Sequence, residues 1–376
     1  MTLPRSSITV LLGGPSAEHD VSLVSGRAIA SALADRGHDV SGWLIDLEAR
    51  WWPLPVSGLD VALPLDAFRD PMALGSPGPS SASAALERLA GADPRPIVFP
   101  ALHGPFGEDG EVQALLESVE LSYCGSGPAA SAVGMDKSIF KRVCSALGLM
   151  VLPWLEVRAS EHAANAALVE DGLAEFAAGL PDPRLVVKPA RMGSSIGISI
   201  VHQPHQRNEL RAALDLALLY DDLAIAEAYL DHPRELEIGL LGNDPADTIA
   251  YGPGEIVPGR EFYDYVAKYR SDLSITSAEA DLEPQVAADA RTAALEVFAA
   301  IGASGFARVD MLMSQDGTMY ISEINTIPGF TPISLFPRMT ARAGLDFGST
   351  CERIVELALQ RHASRPARRL RPADLP

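Results

Sequence analysis

The chain has 376 residues, of which 47% are hydrophobic and 21% charged. This composition is typical of a folded protein with two or three domains rather than a disordered chain. The formal net charge of −19 argues against a nucleic-acid scaffold, because binding a phosphate backbone needs clustered Lys and Arg. A single nucleotide needs only a few local cations.

The three cysteines are widely spaced. They show neither a metal-ligand spacing nor a disulfide framework, which favours a reducing compartment. The N-terminus lacks a signal-peptide pattern, and no apolar run approaches the roughly 20 residues of a membrane span. We therefore expect a cytoplasmic protein that binds neither nucleic acid nor a membrane.

The N-terminal part of the chain predicts a βαβ unit. Strand patterns at 8–12 and 39–45 flank a helix pattern that follows a Gly-Gly turn, and this succession implies a parallel sheet. A third strand is predicted at 96–102. Glu18 and His103 follow the first and third strands, at the ends where open α/β sheets bind ligands. An acid in a first helical turn and an ordinary Gly-rich turn are the alternatives.

The region from about residue 131 carries a pattern typical of phosphate binding. Lys137 begins a helical stripe, and a short strand ends in Lys188. The glycine-serine loop at 191–197, with Ser194 and Ser195, follows directly. Small residues let backbone N–H groups converge on an anion, although the loop is neither a P-loop nor a GxGxxG motif. A plain β-turn and two solvated lysines fit the same pattern.

Two further stretches predict parts of a nucleotide site. Glu227, Tyr229 and Leu230 lie at a predicted domain boundary, where an aromatic and an aliphatic side chain could sandwich an adenine. A core strand is the alternative there. The segment 261–269 is rich in tyrosine and contains Lys268. It predicts a lid over a ligand, or otherwise a patch of packed tyrosines.

The stretch 305–330 predicts a β-hairpin with a polar face. Two strand patterns flank an Asp-Gly turn, which is a strong hairpin signal. Strand side chains alternate between faces, which sets Asp310 opposite Glu323 and puts Ser322 on the apolar face. The polar face carries Arg308, Asp310, Glu323 and Asn325. Oxygen ligands beside a cation suit Mg²⁺ bound to phosphates, whereas a half-exposed hairpin would simply turn this face to solvent.

Six motifs follow one another along nearly the whole chain. They are GGPSAEHDVSLVSG at 13–26, HGPFGEDGEVQALLE at 103–117, MDKSIFK at 135–141, VVKPARMGSSIGIS at 186–199, EFYDYVAKY at 261–269, and RVDMLM with EINTIPGFTPIS at 308–334. Together they resemble the ATP-grasp superfamily and, within it, the D-alanine–D-alanine ligases. The resemblance implies an α/β (α+β) ATP-grasp fold, with a Rossmann-like substrate-binding domain followed by two α+β domains that clasp ATP. The implied bounds are 1–130, 131–226 and 227–362. The Arg- and Pro-rich end, from about Arg361, is expected to fray, with 363–376 as a disordered tail.

The resemblance also implies roles for individual residues. Two Mg²⁺ or Mn²⁺ ions would be held by Asp310, Glu323 and Asn325. ATP would contact Lys137, Lys188, Ser194, Ser195, Glu227, Tyr229, Leu230, Glu235 and Lys268. The amino-acid substrates would contact Glu18, His103, Lys268, Ser334 and Leu335. The catalytic residues would be Glu18, Ser194, Tyr269, Arg308 and Gly329, of which Arg308 and the Gly329 N–H stabilise an oxyanion.

The activity implied by the resemblance is the ATP-dependent ligation of two D-alanines, through a D-alanyl phosphate, for peptidoglycan precursors. A homodimer is implied as well. A second substrate of D-lactate or D-serine is the alternative within this fold, and Lys268-Tyr269 favours an amine acceptor, because ester-forming relatives differ at the tyrosine. A nucleotide-binding protein without catalysis would lack metal ligands or Arg308, and all of these are present.

Overall fold

The structure is a computed structural model that describes residues 3–258 and 274–365. The predicted lid at 261–269, with Lys268 and Tyr269, lies outside the described residues, as does 366–376. Three β-sheets with flanking helices make up the described chain. None of its described helices combines the length and the apolarity needed to cross a bilayer.

The first sheet is built from the N-terminal part of the chain. Its strands are β1 (Ser7–Gly13), β2 (Asp39–Ile45), β3 (Trp51–Pro55) and β4 (Ile97–Pro100). The helices here are α1 (His19–Asp35), α2 (Ala82–Ala90) and α3 (Glu111–Ser118), with 3₁₀ turns at Val56–Leu59 and Leu65–Arg69. The strand order is β3-β2-β1-β4. β1 is parallel to β2 and β4, which confirms the predicted parallel sheet, and β3 adds an antiparallel edge. Val10 and Leu11 pack into different cores, so β1 is apolar throughout because both of its faces are covered.

The second sheet lies in the middle of the chain and is antiparallel. Its strands are β5 (Trp154–Arg158), β6 (Leu185–Pro189), β7 (Ser199–Val201) and β8 (Leu223–Ala228), in the order β5-β8-β6-β7. The helices of this region are α4 (Pro128–Met135), α5 (Lys137–Ala146), α6 (Ala159–Ala164), α7 (Ala166–Ala178) and α8 (Arg207–Ala217). The β6–β7 hairpin carries the glycine-serine loop. Asp136 caps α5 by accepting hydrogen bonds from the N–H groups of Ser138 and Ile139, which fixes Lys137 at the first turn.

The third sheet is also antiparallel and forms the floor of the functional cleft. Its strands are β9 (Arg234–Gly242), β10 (Ile249–Pro258), β11 (Ser274–Ser277), β12 (Gly305–Met313) and β13 (Met319–Asn325), in the order β11-β10-β9-β12-β13. The remaining described helices are α9 (Pro284–Ala300), α10 (Leu335–Arg342) and α11 (Phe347–Ala363). Apolar residues of α4, α5 and α9 share one core with this sheet. Ser138 and Lys141 of α5 also contact Glu156 and Glu227 of the second sheet, so α5 links the two sheets.

The β12–β13 hairpin has the predicted register with one irregularity. Asp310 pairs with Glu323, as expected, but Met311 pairs with Ile321. Ser322 is therefore the extra residue of a β-bulge, which re-aims side chains locally. The prediction that Ser322 joins the apolar face is wrong, since it lines the cleft beside Glu323.

The described part of the C-terminal end does not fray as predicted. α11 continues to Ala363. Arg361 donates hydrogen bonds of 3.1 Å to Ser304 Oγ and to the Tyr123 carbonyl oxygen, and Arg365 pairs with Glu117. The expectation of a loose end is thus wrong up to residue 365, because these arginines bind the N-terminal part of the chain.

A cluster of phenylalanines joins the first sheet to the third. Phe306 on β12 is fully buried, and its ring centroid lies 6.0 Å from that of Phe99, 5.6 Å from that of Phe330 and 6.4 Å from that of Phe336. Tilted and edge-to-face aromatic pairs at such distances stabilise a core beyond the burial of their apolar area. The two sheets therefore share a continuous core.

Truncating Phe306 tests this shared core. We expect Phe306→Ala to lower the free energy of unfolding by about 3–5 kcal/mol, the usual cost of a cavity at a buried aromatic. Leu219→Ala is the control, because Leu219 is 78% exposed and should change stability by less than about 0.5 kcal/mol. Urea unfolding measures both, and equal losses in the two variants would contradict a shared core at Phe306.

Candidate active site

A cleft of about 1320 Å³ opens where the three sheets meet. It brings together every site residue predicted from the sequence that the structure describes. These residues are Glu18, His103, Lys137, Lys188, Ser194, Ser195, Glu227, Tyr229, Leu230, Glu235, Arg308, Asp310, Glu323, Asn325, Gly329, Ser334 and Leu335. Typical ligand pockets enclose about 300–1,000 Å³, so the cleft has room for a nucleotide and a small substrate.

The glycine-serine loop closes over Glu18. β1 and β4 are neighbours, so the loops after them lie together, and Glu18 is buried between them. The Ser194 hydroxyl donates to Glu18 Oε1. Gly104 and Gly193 flank the carboxylate: a Cβ at Gly104 would lie 2.6 Å from Glu18 Oε2, and one at Gly193 would also collide with it. Any side chain at either glycine would therefore displace the carboxylate.

His103 holds the loop after β13 rather than pointing a bare ring nitrogen into the cleft. Its Nδ1 lies 2.9 Å from the Ile327 carbonyl oxygen, which can only accept, so Nδ1 carries the proton. Burial lowers the pKa of His103 to about 4, and the neutral ring leaves Nε2 as an acceptor. Ser25 Oγ lies 3.0 Å from Nε2 and itself accepts a hydrogen bond of 3.3 Å from the Phe330 N–H.

Glu108 is a third contact to the same loop. Its carboxyl group accepts hydrogen bonds from the N–H groups of Gly104, at 2.7 Å, and Ile327, at 3.4 Å. Burial and the nearby Glu18 raise the pKa of Glu108 well above its ordinary value. Ser25, His103 and Glu108 thus hold both ends of residues 327–330, the segment that contains Gly329.

The polar face of the β12–β13 hairpin is densely charged. Arg308 donates from Nε and Nη2 to the two oxygens of Asp310, both at 2.6 Å, and Nε also lies 3.3 Å from Glu237 Oε1. Burial would lower the pKa of Arg308, but Asp310 and Glu237 outweigh burial and raise it well above its ordinary value. Arg308 therefore stays a cation inside the cleft.

Both predicted phosphate lysines are buried and face carboxylates. Lys137 Nζ lies 3.1 Å from Glu323 Oε2 and donates to the Met192 carbonyl oxygen at 2.7 Å. Burial opposes the charge of Lys137, but Glu323 raises its pKa. Lys188 Nζ pairs with Glu227, and its pKa is lowered, chiefly by burial.

The three predicted metal ligands offer only oxygen atoms, the donors that Mg²⁺ prefers. Two are the carboxylates of Asp310 and Glu323, which face Arg308 and Lys137 respectively. The third is the Asn325 amide oxygen, which accepts a hydrogen bond from the Ile327 N–H at 3.2 Å. No group of three or more His, Cys, Asp or Glu within residues 3–258 and 274–365 is arranged as a metal site. The set fits a divalent cation as two acids plus one amide.

The two ends of the cleft differ in character. At one end, Tyr229 and Leu230 line the wall, and the Arg184 guanidinium lies 4.1 Å from the centroid of the Tyr229 ring. At the other end, Ser334 Oγ accepts a hydrogen bond of 3.0 Å from the Thr331 N–H at the start of α10. A flat aromatic wall suits a base, whereas the hydroxyl suits a small polar group.

Two residues at this site, Ser25 and Glu237, were not among the candidates from the sequence, and the contact of Glu108 with the loop after β13 was not predicted either. Ser25 and Glu108 lie inside the quoted motifs, but nothing local to them indicates a contact with the loop after β13. The sequence does indicate Glu237, because it lies two residues after Glu235 on β9 and therefore faces the cleft on the same side of the strand. Strand periodicity could have placed it on the cleft face, but its position beside Asp310 depends on the pairing of β9 with β12.

Two family models match the chain. Residues 7–126 match the D-ala D-ala ligase N-terminus, and residues 143–356 match the D-ala D-ala ligase C-terminus. The chain belongs to the D-ala D-ala ligase family. A relative from Deinococcus radiodurans named D-alanine–D-alanine ligase is 39% identical, over 95% of this chain and 99% of its own. One from Chloroherpeton thalassium with the same name is 37% identical, over 97% of this chain and 100% of its own.

Solved structures agree with the family models. The D-alanine–D-alanine ligase from Coxiella burnetii superposes with a TM-score of 0.78 and 29% identity, covering 96% of each chain. The VanG D-Ala:D-Ser ligase from Enterococcus faecalis gives 0.75 and 28%, covering 94% of this chain and 99% of that one. The predicted α/β ATP-grasp fold of this D-ala D-ala ligase family member is confirmed.

The buried neutral His103 predicts an acid-sensitive contribution to stability. The unfolded chain takes up a proton near pH 6.5 and the folded chain only near pH 4, so stability is lost as pH falls through that window. The loss amounts to about 3 kcal/mol. We expect the excess stability of wild type over His103→Asn to shrink between pH 7 and pH 4.5 in urea unfolding. The comparison cancels the titrating groups whose pKa the substitution leaves unchanged, and a constant difference would contradict a buried neutral ring.

Proposed function

We propose that this member of the D-ala D-ala ligase family joins two D-alanine molecules into D-alanyl-D-alanine for peptidoglycan precursors, with ATP as the phosphoryl donor. One observation supports this most: a single cleft collects the lysines, the arginine, the acids and the serine loop that such a reaction requires. Near full-length similarity to relatives with that name supports it further.

The reaction has two steps. A carboxylate oxygen of the first D-alanine attacks the γ-phosphorus of ATP, the bond to the leaving ADP oxygen breaks, and a D-alanyl phosphate forms. The amine of the second D-alanine then attacks the carbonyl carbon. The carbon–oxygen bond to phosphate breaks, the amine loses a proton, and the dipeptide and inorganic phosphate remain. A closed site excludes water that would otherwise hydrolyse the acyl phosphate.

Glu18 binds the ammonium group of the first D-alanine in this proposal. Its carboxylate is buried under the glycine-serine loop, so it would attract a small cation strongly. Arg308 and the Gly329 N–H stabilise the oxyanion that forms when the amine attacks. The clamp of Ser25, His103 and Glu108 on residues 327–330 holds that N–H in place.

ATP lies along the second and third sheets in this proposal. Lys137, Lys188, Ser194 and Ser195 bind its phosphates, and Tyr229 and Leu230 contact the adenine. Glu227 borders the adenine and Glu235 the ribose. Because Lys188 pairs with Glu227, and Glu227 borders the adenine, the contacts to the phosphates and to the adenine share one ion pair.

Two Mg²⁺ or Mn²⁺ ions complete the proposed site, with Asp310, Glu323 and Asn325 as ligands. When bound, such ions neutralise the charge of the ATP phosphates. Asp310 and Glu323 already face Arg308 and Lys137. A cation held there would supply positive charge to acids that Arg308 and Lys137 otherwise neutralise.

The second D-alanine contacts Ser334 and Leu335 at the polar end of the cleft. Lys268, the third predicted contact of the second substrate, and Tyr269, whose identity favours an amine acceptor, lie outside the described residues. A D-serine acceptor is the second candidate, because the VanG neighbour carries that name. D-Alanine is favoured by the relatives with higher identity.

We further propose a cytoplasmic homodimer with domains 1–130, 131–226 and 227–362. In the described chain, α4 and α5 of the second domain share a hydrophobic core with the third sheet, which supports tight packing of the last two domains. Light scattering should give twice the mass of one chain, and a monomer at all concentrations would contradict the dimer.

The proposed reaction is tested by phosphate release and product mass together. With Mg²⁺ and ATP, we expect phosphate release that depends on D-alanine, and mass spectrometry should find D-alanyl-D-alanine. The same assay with D-serine, D-lactate and L-amino acids ranks the acceptors. ATP turnover without any coupled product, or a preferred acceptor other than D-alanine, would overturn the assignment.

Arg308 gives the sharpest test of the oxyanion role. Losing one preorganised donor typically lowers turnover by about 10²–10³-fold, so we expect Arg308→Ala to lower kcat by at least that factor. Arg207→Ala is the control, because Arg207 makes only an exposed pair with Asp171, and it should keep wild-type kcat. Arg308→Ala with more than about a tenth of wild-type kcat would remove Arg308 from the chemistry.

A further inference from the structure

One carboxylate is held between two buried lysines beneath the nucleotide end of the cleft. Glu227 Oε1 pairs with Lys188 Nζ, and Glu227 Oε2 lies 2.8 Å from Lys141 Nζ. The side chains of Lys141, Glu227 and Lys188 are 1%, 6% and 9% exposed. In the described chain, Glu227 and Lys188 line the cleft whereas Lys141 does not. Lys141 is thus the rear member of a lysine–glutamate–lysine row.

Lys141 is held firmly by its surroundings. Its ammonium group donates to the Leu152 carbonyl oxygen at 3.2 Å and lies 5.5 Å from the centroid of the Trp154 ring. The two contacts come from the residue two positions before β5 and from its first residue, so the segment around the start of β5 holds the ammonium group. Lys188 and Glu227 lie on the adjacent strands β6 and β8, where Val186 is paired with Glu227. Lys188 is therefore a diagonal neighbour of Glu227 on the same face.

A second lysine keeps Glu227 neutralised when the first one binds another anion, which a single ion pair cannot do. Removing one partner from a buried ion pair leaves an uncompensated charge and is strongly destabilising. If Lys188 alone neutralised Glu227, its approach to an ATP phosphate would leave the Glu227 carboxylate buried without a cation. A second ammonium group behind Glu227 removes the conflict, and the local excess of positive charge suits a polyphosphate.

We propose that Lys141 is a positioning residue for ATP, which holds Glu227 and neutralises it so that Lys188 remains available to the ATP phosphates. This inference rests on the ATP-dependent reaction proposed above and adds a residue that does not touch the nucleotide. Lys141 acts through Glu227, and Glu227 acts through Lys188.

A double-mutant cycle on nucleotide affinity tests the inference. In Lys141→Met, Lys188 must serve Glu227 alone, and we expect the dissociation constants of ATP and ADP with Mg²⁺ to rise by about tenfold or more. In a Glu227→Gln background there is no carboxylate to neutralise, so adding Lys141→Met should change these constants by less than about twofold. Isothermal titration calorimetry measures all four proteins, and the KM for D-alanine should stay within about twofold of wild type.

Arg142→Met is the matched control. Arg142 lies on the same helix, but its pair with Glu156 is at the surface and its side chain is 62% exposed. Loss of this positive charge should leave ADP affinity within about twofold of wild type. If Lys141→Met does not fold, Lys141→Gln, which keeps a donor for the Leu152 carbonyl, replaces it in the cycle.

Each outcome is decisive. Equal changes in affinity in the two backgrounds would show a general structural role and overturn the inference, as would unchanged affinity in Lys141→Met. These results leave the ligase proposal standing as long as wild type binds ATP. A wild-type protein that binds no nucleotide would instead overturn the proposed function itself.

Discussion

The cleft depends on the backbone register of β9, β12 and β13, which sets three carboxylates in a row. Glu237 is paired with Asp310, and Asp310 with Glu323. Like charges directly opposite on neighbouring strands repel one another, so this row is stable only with cations beside it. Arg308 binds Asp310 and Glu237 from within the sheet, and Lys137 reaches Glu323 from α5. The position of α5 against the third sheet therefore helps to neutralise this row of carboxylates.

The rest of the site repeats this arrangement of buried charges held in mixed groups. Lys188, Glu227 and Lys141 form one such group. Such groups keep ionised side chains inside a protein at tolerable cost when the partners are well placed.

The N-terminal sheet takes part in this arrangement at several points. Glu18 meets Ser194 of the β6–β7 loop, and His103 with Ser25 fixes the loop after β13. Arg361 ties the last described helix to Tyr123. Because these contacts join distant parts of the chain, the cleft exists only when all three sheets have assembled.

Much of this architecture is determined by local sequence. The Asp-Gly turn at 316–317 and the period-two alternation around it depend only on neighbouring residues. They therefore determined the β12–β13 hairpin and the pairing of Asp310 with Glu323 from the sequence. The order of the six motifs determined the family and the cleft residues. Only the tertiary structure decided that Ser322 is a bulge residue, that His103 is neutral and holds a loop, and that Lys141 shares Glu227 with Lys188. Those outcomes depend on which buried groups meet across long sequence separations, and burial and charge compensation act only once the chain has folded.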